Sequence, residues 1–463
     1  MDKDVKNIVA ELKSHLIEDI LRKWYPLVID KSCGGYFTNL AYDWTILPEQ
    51  EKMIVTQARH VWTLSKAAEF VVDGQNYNEM AMHGFSFLKD RMWDKDYGGF
   101  YQIRNREGGF AEVNGWRDEK RTYGNAFGIF GLSALYKNTK RADVLELAYD
   151  TFLWLEKHAY DQKFGGYFQF LSREGKPFDK NSNYKTTAVD SKEVGFKDQN
   201  SSIHLMEAYT ELYKVFRDPV LYEKLRSLLV IIRDKMVTKE GYLQLFFYPD
   251  WTPVSFRGSS REQVFENFDL DHVSFGHDYE TAFLMLEASY WLGINDDYRT
   301  LIIAKKMLDH ALRYGWDDDV GGFYDAGFYF KGNDYCTIIK DTKTWWAQAE
   351  ALNALLLFAK IFTEEKRYYD FFLRQWDYIK NFVIDKQYGD WFEGGIDKDP
   401  HFKTAPKSHM WKCTYHTVRA LINCIEMLIE DPNLEINKLI DHWRNVAESL
   451  SSKKVEQMSN IIQ

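Results

Sequence analysis

"DKDYGGFY" occupies residues 94–101, and near-copies punctuate the chain: DKSCGGYF at 30–37, DQKFGGYF at 161–168 and DDDVGGFY at 317–324. Two degenerate copies, KEGYLQLFF at 239–247 and DKQYGDWF at 385–392, bring the set to six, about 64 to 80 residues apart. A glycine pair followed by aromatic alternation signals a tight turn leading into a short strand. A recurring period of this kind marks repeated supersecondary units.

Two helical stretches separate successive turns, for example VTQARHVWTLSKAAEFV (55–71) followed by YNEMAMHGFSFLKDRMW (77–93). Apolar residues recur at i, i+3, i+4 and i+7 in every pair. The first member is apolar nearly all round and rich in Ala and Gly, as a buried inner helix should be. The second carries Lys and Arg on one side, as an outer helix should. Six pairs, counting the terminal helices, can close into an all-α fold, an (α/α)6 barrel or toroid with short β-hairpins in the loops at one mouth; the alternative, an open solenoid, calls for atypical polar capping repeats, which are not obvious. The expectation is one catalytic domain over residues 1–463, with an extra helical tail at about 430–463. Each turn follows an outer helix and precedes an inner one, so all inner helices start at the same mouth. Their deeper turns read as mostly apolar.

Composition narrows the function. An apolar fraction of 45% is ample for a core, and aromatics at 16% supply rings that cover apolar surface or stack on sugars. A net charge of -10 with no basic stretch excludes a nucleic-acid footprint. Cys33, Cys336, Cys413 and Cys424 form no C-x-x-C pair, which predicts free thiols in a reducing, cytoplasmic compartment. MDKDVKNIVAELKSHL at the start reads as a charged amphipathic helix and not as a signal peptide. No run approaches the roughly 18 apolar residues of a membrane span. Dinucleotide and phosphate-loop fingerprints, H-E-x-x-H and G-x-S-x-G are all absent, so the expectation is no cofactor and no metal.

Polar residues collect in the first two turns of the inner helices. In chain order these are Gln57, Arg59 and Trp62, then Tyr123 and Asn125, then Asn200, His204 and Glu207. His277 and Glu280 follow, then Trp345, Trp346 and Glu350, and last Trp411, His416 and Arg419. A lone histidine in an apolar helix is ordinarily a hydrogen-bonded core residue; three at equivalent places in three repeats point to a pocket. Glu207 and Glu350 could equally pair with arginines across helices, and Trp391 reads as a hairpin plug. The i,i+3 spacing sets Glu280 beside His277, Glu207 beside His204 and Arg419 beside His416. A carboxylate favours imidazolium and a guanidinium favours neutral imidazole, so His277 and His416 are expected to rest in different protonation states. Two histidines on opposite faces of one carbon can take a proton from one side and return it from the other.

These motifs resemble the N-acylglucosamine 2-epimerase superfamily, and within it the cellobiose 2-epimerase branch. The resemblance runs from about Ile8 to Leu428 and rests on QARHVW, RTYGNAF, NSSIHLMEAYTELY, FGHDYE, WWAQAEA and MWKCTYH. It implies an (α/α)6 barrel and a cofactor-independent epimerase that inverts C2 of a reducing-end glucose or mannose unit. It implies that His277 and His416 exchange the C2 proton of a ring-opened aldose, assisted by His204 with Arg59 and Asn200. Trp411 and one of Trp345 or Trp346 would stack on the sugar, with Tyr123, Glu280, Glu350 and Arg419 completing the site. Two departures stand out. Thr417-Val418-Arg419 replaces the usual Asn-Gly-Arg, and long polar loops (172–199, and 248–274, which reads as a lid) precede Asn200 and His277. The Gly276-His277-Asp278 triplet argues against an acetylated sugar. The expected partner is therefore a mono- or disaccharide, with no nucleic acid or membrane, acting on a monomer or homodimer. An aldose–ketose isomerase would use the same histidines. A glycoside hydrolase on this fold would instead need two carboxyl groups about 6.5–9.5 Å apart.

Overall fold

The computed structural model describes residues 3–71, 74–111, 118–182 and 192–452. Part of the predicted 172–199 loop and the end of the predicted tail therefore lie outside the described residues. The first outer helix is α1 (Lys3–Ser14), continued through a wide helical turn (His15–Leu21) into α2 (Arg22–Trp24). Inner and outer helices then alternate: α3 (Ile54–Phe70), α4 (Gln75–Phe87), α5 (Thr122–Thr139), α6 (Ala142–His158), α7 (Gln199–Val215) and α8 (Pro219–Ile231). After the short α9 (Arg261–Glu266) come α10 (Phe275–Trp291), α11 (Tyr298–Tyr314), α12 (Trp345–Ile361), α13 (Arg367–Tyr378), α14 (Tyr415–Ile429) and α15 (Glu435–Ser452). The inner helices pack in the order α3, α5, α7, α10, α12, α14, and α14 returns to α3. The ring is closed. Each inner helix carries an outer one at its back, α1 serving α14. Small residues let the inner helices approach: a Cβ on Gly131 of α5 would meet the Ala58 carbonyl oxygen of α3 at 2.5 Å.

The repeated turns are built alike. Asp94 Oδ1 accepts from the amides of Asp96 and Tyr97, and the Asp94 carbonyl accepts from Gly98. Gly98 and Gly99 stand at φ +69° and +75°, which other residues adopt only at a cost, so the glycine pair is required. The buried ammonium of Lys120, just before α5, reaches back 2.9 Å to Asp94 and caps the Gly98 carbonyl. Lys52–Asp30, Lys197–Asp161, Lys343–Asp317 and Lys407–Asp385 repeat this clamp at 2.6–2.9 Å. The copy at 239–247 lacks it: Thr238 holds that turn through its hydroxyl, and Val273 stands where the lysine would be.

Short antiparallel pairs tie the turns together. β1 (Lys52–Met53) pairs with β2 (Ile103–Arg104), β3 (Lys120–Arg121) with β4 (Phe170–Leu171), and β5 (Lys197–Asp198) with β6 (Phe246–Phe247). β7 (Val273–Ser274) pairs with β8 (Ala326–Phe328), which also takes β9 (Thr337–Lys340). The fourth residue of an inner helix holds the preceding turn: Gln57 accepts from the Tyr36 amide, Asn125 from Phe100, Asp278 from Leu243 and Gln348 from Phe323. Gln57 and Asn125 are thus turn staples rather than pocket residues.

Segment 248–274, expected to be a polar loop, contains α9 and is tied down. Asp271 accepts from Gln244 and from the Phe256 amide, and Arg257 meets Glu240 at 3.0 Å. Trp391 is fully buried and donates to His15, closing the last turn as a plug. At the opposite mouth, α15 lies across the ends of α10, α12 and α14. Trp443 Nε1 donates to the Leu286 carbonyl, Arg444 to Lys360, and Asn437 to Glu426. All four cysteines are free, and among the described residues no helix is long and apolar enough to cross a membrane.

Candidate functional site

Inner helices that start at one level place equivalent positions in layers. The second residues include Tyr123, Asn200, Trp346 and His416; the sixth are Arg59, Phe127, His204, Glu280 and Glu350 on five helices. The 3.6-residue period points both layers into the lumen. A cavity of about 210 Å³ opens at this mouth, lined among others by Tyr123, Asn200, His272, His277 and Trp411. Trp411 leaves 43% of its surface exposed there.

The remaining expected residues are bonded or packed beneath that cavity. Trp346 sits between the two histidines, its ring centroid 4.8 Å from His277 and 5.6 Å from His416. Gly276 makes room for it, since a Cβ there would meet the indole at 2.5 Å. Trp345, by contrast, is buried and packs toward His409 and Lys412, which removes it from the sugar-stacking set. Arg59 donates to the Tyr123 hydroxyl at 3.0 Å and lies 4.2 Å over the Phe127 ring. His204 packs edge-on to Tyr123, and its Nδ1 is 2.8 Å from Glu207.

Two expected pairings fail. His277 turns to the Ser274 hydroxyl (2.8 Å) and does not meet Glu280. As the third residue of α10 it points up to the mouth, while Glu280, the sixth, points into the lumen. His416 meets Glu350 of the neighbouring helix at 2.7 Å in place of its own Arg419. Arg419 is buried and donates to Glu207, Tyr415 and Glu280, with Glu350 at 2.6 Å. Arg419, Glu280 and Glu350 therefore form a buried floor under the histidines, and like His416 and Trp346 they lie below the residues that line the mouth cavity. The alternative reading of Glu207 and Glu350, as cross-helix partners of an arginine, describes what is seen.

Protonation departs from expectation too. Burial, reinforced by His204 and His272, lowers His277 to about 3. Burial with Arg59 and Arg419 takes His416 well below its ordinary value. Both rings rest neutral, where opposite states were expected. Burial also raises Glu280 and Glu350 to about 7, because one guanidinium cannot compensate three carboxylates. Burial would raise Glu207 as well, but Arg419 and His204 hold it below its ordinary value. Glu280, Glu350 and His416 bring ligand atoms within 4.8 Å of one another, the spacing of a possible metal site. The Arg419 guanidinium already bridges both carboxylates there.

Residues not singled out in the sequence complete the site. His272 is stacked on Phe268, and its Nδ1 donates to the Phe268 carbonyl at 2.7 Å, which leaves Nε2 as an acceptor on a ring that lines the mouth. Ser274 orients His277, and the Tyr415 hydroxyl donates to Glu207. Tyr415 was legible as the neighbour of His416 in KCTYH; Ser274 and His272 carry no spacing signal.

The site thus has His277, His272 and the exposed Trp411 indole at the mouth of a closed (α/α)6 ring, with Arg59, His204 and His416 beneath them. Residues 35–420 match the N-acylglucosamine 2-epimerase (GlcNAc 2-epimerase) family, and the chain belongs to it. A cellobiose 2-epimerase from Bacteroides fragilis is 28% identical over 91% of this chain and 98% of its own length. A D-mannose isomerase from Marinomonas mediterranea is 25% identical over 90% of this chain and 96% of its own. The fold superposes on the cellobiose 2-epimerase of Bacillus thermoamylovorans with a TM-score of 0.77, covering 91% of this chain and 99% of that one at 24% identity. The chain is thus an isomerase of the sugar 2-epimerase type, with a small-molecule sugar as substrate.

Proposed function

We propose that this enzyme inverts C2 of a ring-opened, reducing-end aldose by proton transfer between His277 and His416, with no cofactor. The observation that carries the reading is the pair of neutral imidazoles, from different helices, packed against the same Trp346 ring. A neutral, buried imidazole is a competent base for a C–H beside a carbonyl. When His277 donates Nδ1–H to Ser274, its Nε2 is free to take the C2 proton, leaving an enediolate. Arg59 supplies positive charge for the enediolate oxygen. His416 returns a proton from the other face and is recharged through Glu350, whose carboxyl at about 7 exchanges its proton near neutral pH. In the reverse direction the two histidines exchange roles.

The polar lining suits a polyol. Asp198 Oδ2, Gln199 Oε1 and Asn200 Oδ1 are buried acceptors without a partner among the described residues, set beside the mouth cavity where sugar hydroxyls would donate. Glucose or mannose units, free or at the end of a β-1,4 disaccharide, are the substrates proposed. The D-mannose isomerase relative favours a second outcome of the same chemistry, in which the proton returns to C1 and a ketose forms. Glu280 and Glu350 lie too close together, on one arginine, to act as an inverting hydrolase pair.

Proton NMR in D2O with mannose and, separately, cellobiose tests this. Loss of the C2 hydrogen with growth of the epimer's anomeric signals is the expected result. Ketose signals would select the isomerase outcome, and no exchange with either sugar would overturn both.

A further inference from the structure

The inner helices were expected to be apolar in their deeper turns, and they are not. A cavity of about 300 Å³ occupies the lower lumen, between the Glu207–Arg419 floor of the histidine site and α15. Its wall carries a ladder of alternating charge: Glu435, Lys137, Glu69, Lys66, Glu211, Lys214, Glu287, with successive separations of 2.8–3.7 Å. Lys66–Glu69, at 3.9 Å, is the one wider step. Each ammonium lies between two carboxylates. The Glu426 side chain faces the same space, and its carboxylate has no hydrogen-bond or ion-pair partner among the described residues. Six carboxyl groups, Glu207 among them, face three ammoniums and the Arg419 guanidinium, so acids outnumber bases by two around the cavity. Among the described residues no three of these carboxylates come close enough to hold one metal ion together.

The roof asks for something different. Trp62 and Arg419 line the cavity with only 4% of each residue exposed, and the indole Nε1 and guanidinium Nε have no partner among the described residues. Two buried donors without acceptors match hydroxyl oxygens. Phe130, Phe283 and Trp291 supply ring surface for the body of a ligand. The volume is at the lower end of small-molecule sites.

We propose that the lower lumen is a second ligand site, for a hydroxylated primary ammonium compound about one sugar ring in size, of which an aminohexose is the type. The ammonium meets Glu426 between Glu69 and Glu435, and hydroxyls accept from Trp62 and Arg419. Arg419 and Glu207 line this cavity and bond to Glu280 and His204 of the histidine site, so one charged partition separates the two. Glu435 begins α15, so the tail helix closes the site. This inference stands apart from the epimerase reading, because its readout is binding.

The test is isothermal titration calorimetry of D-glucosamine into the full chain, with D-glucose and 1,4-diaminobutane as comparison probes. A glucosamine site that Glu426→Gln weakens is expected, with both comparison probes at least tenfold weaker at that site, whereas glucose bound at the mouth as a substrate is unaffected by Glu426→Gln. Glu426→Gln should weaken glucosamine at least tenfold while leaving C2–H exchange of the sugar substrate unchanged. Leu439→Trp, which fills the cavity from α15, should do the same by occlusion. No binding by the parent chain overturns the proposal, as does binding that neither substitution weakens. Diaminobutane or glucose binding as tightly as glucosamine, and weakened likewise by Glu426→Gln, removes the hydroxyl or the ammonium requirement and overturns it equally.

Discussion

The barrel holds two belts of buried charge, one beneath the other, and they are wired differently. In the lower belt lysines and glutamates alternate. Burial opposes their charges, yet the neighbouring charges prevail, lowering Glu211 to about 2 and raising Lys66. In the upper belt Arg419 alone faces Glu207, Glu280 and Glu350, burial prevails, and two carboxyls rise to about 7. Alternation fixes protons; a shortage of cations frees them. Both raised carboxyls lie close to His416, where the proposed proton transfer would use them.

The comparison breaks most visibly at the histidines. Replacing His277 or His416 singly by Ala should cut turnover by about 10²–10⁴-fold, read as the initial rate of C2–H loss in D2O. Retention of the parent rate by either variant would end the two-histidine mechanism.

Next comes the unequal value of the two belts for stability. Arg419→Met leaves buried carboxylates without their cation and should cost about 3–5 kcal/mol in urea unfolding. Equal losses from this variant and from the lower-belt variant below would erase the distinction between the belts.

The pH dependence sharpens it further. Glu280 and Glu350 have folded values above their unfolded ones, so their contribution is fully present below about 4.5 and is lost as pH rises through about 7. His277 has a lowered folded value, so its contribution is present above about 6.5 and is lost as pH falls toward about 3. Between pH 6.5 and 8 the remaining slope belongs to the carboxyls. Glu280→Gln should flatten the fall of the urea midpoint in that window, and an unchanged slope would place the titration elsewhere.

The smallest effect is expected at the rim of the lower belt. Lys137 is partly exposed between Glu69 and Glu435, so Lys137→Met should cost less than about 1 kcal/mol, by the same unfolding measurement.

Much of the architecture was legible because its causes are local. The glycine pairs of the turns stand at positive φ, and a residue that needs positive φ announces itself in sequence. The clamps were legible but not recognised: Lys52, Lys120, Lys197 and Lys343 each stand two residues before an inner helix, and Val273 breaks the series where the turn also loses its aspartate. The histidines could be listed for the same reason, since each sits near a helix start. Their partners could not. His277 with Ser274 and His416 with Glu350 depend on rotation about the helix axis and on which helix stands alongside.

The sequence by itself determined the repeated turn, the inner and outer character of the helices, their count of six pairs and the polar residues near the inner helix starts, while closure of the ring is seen in the packing of α14 on α3. These follow from backbone conformations and from the 3.6-residue period, which act within a few residues. Only the tertiary structure decided that Trp346 and not Trp345 meets the histidines, that Arg419 lies in a carboxylate floor, that both histidines rest neutral, and that a charged cavity lies under α15. Those outcomes depend on burial and on charges brought together from helices as far apart in the chain as α3 and α14, and no local pattern encodes the distances between them.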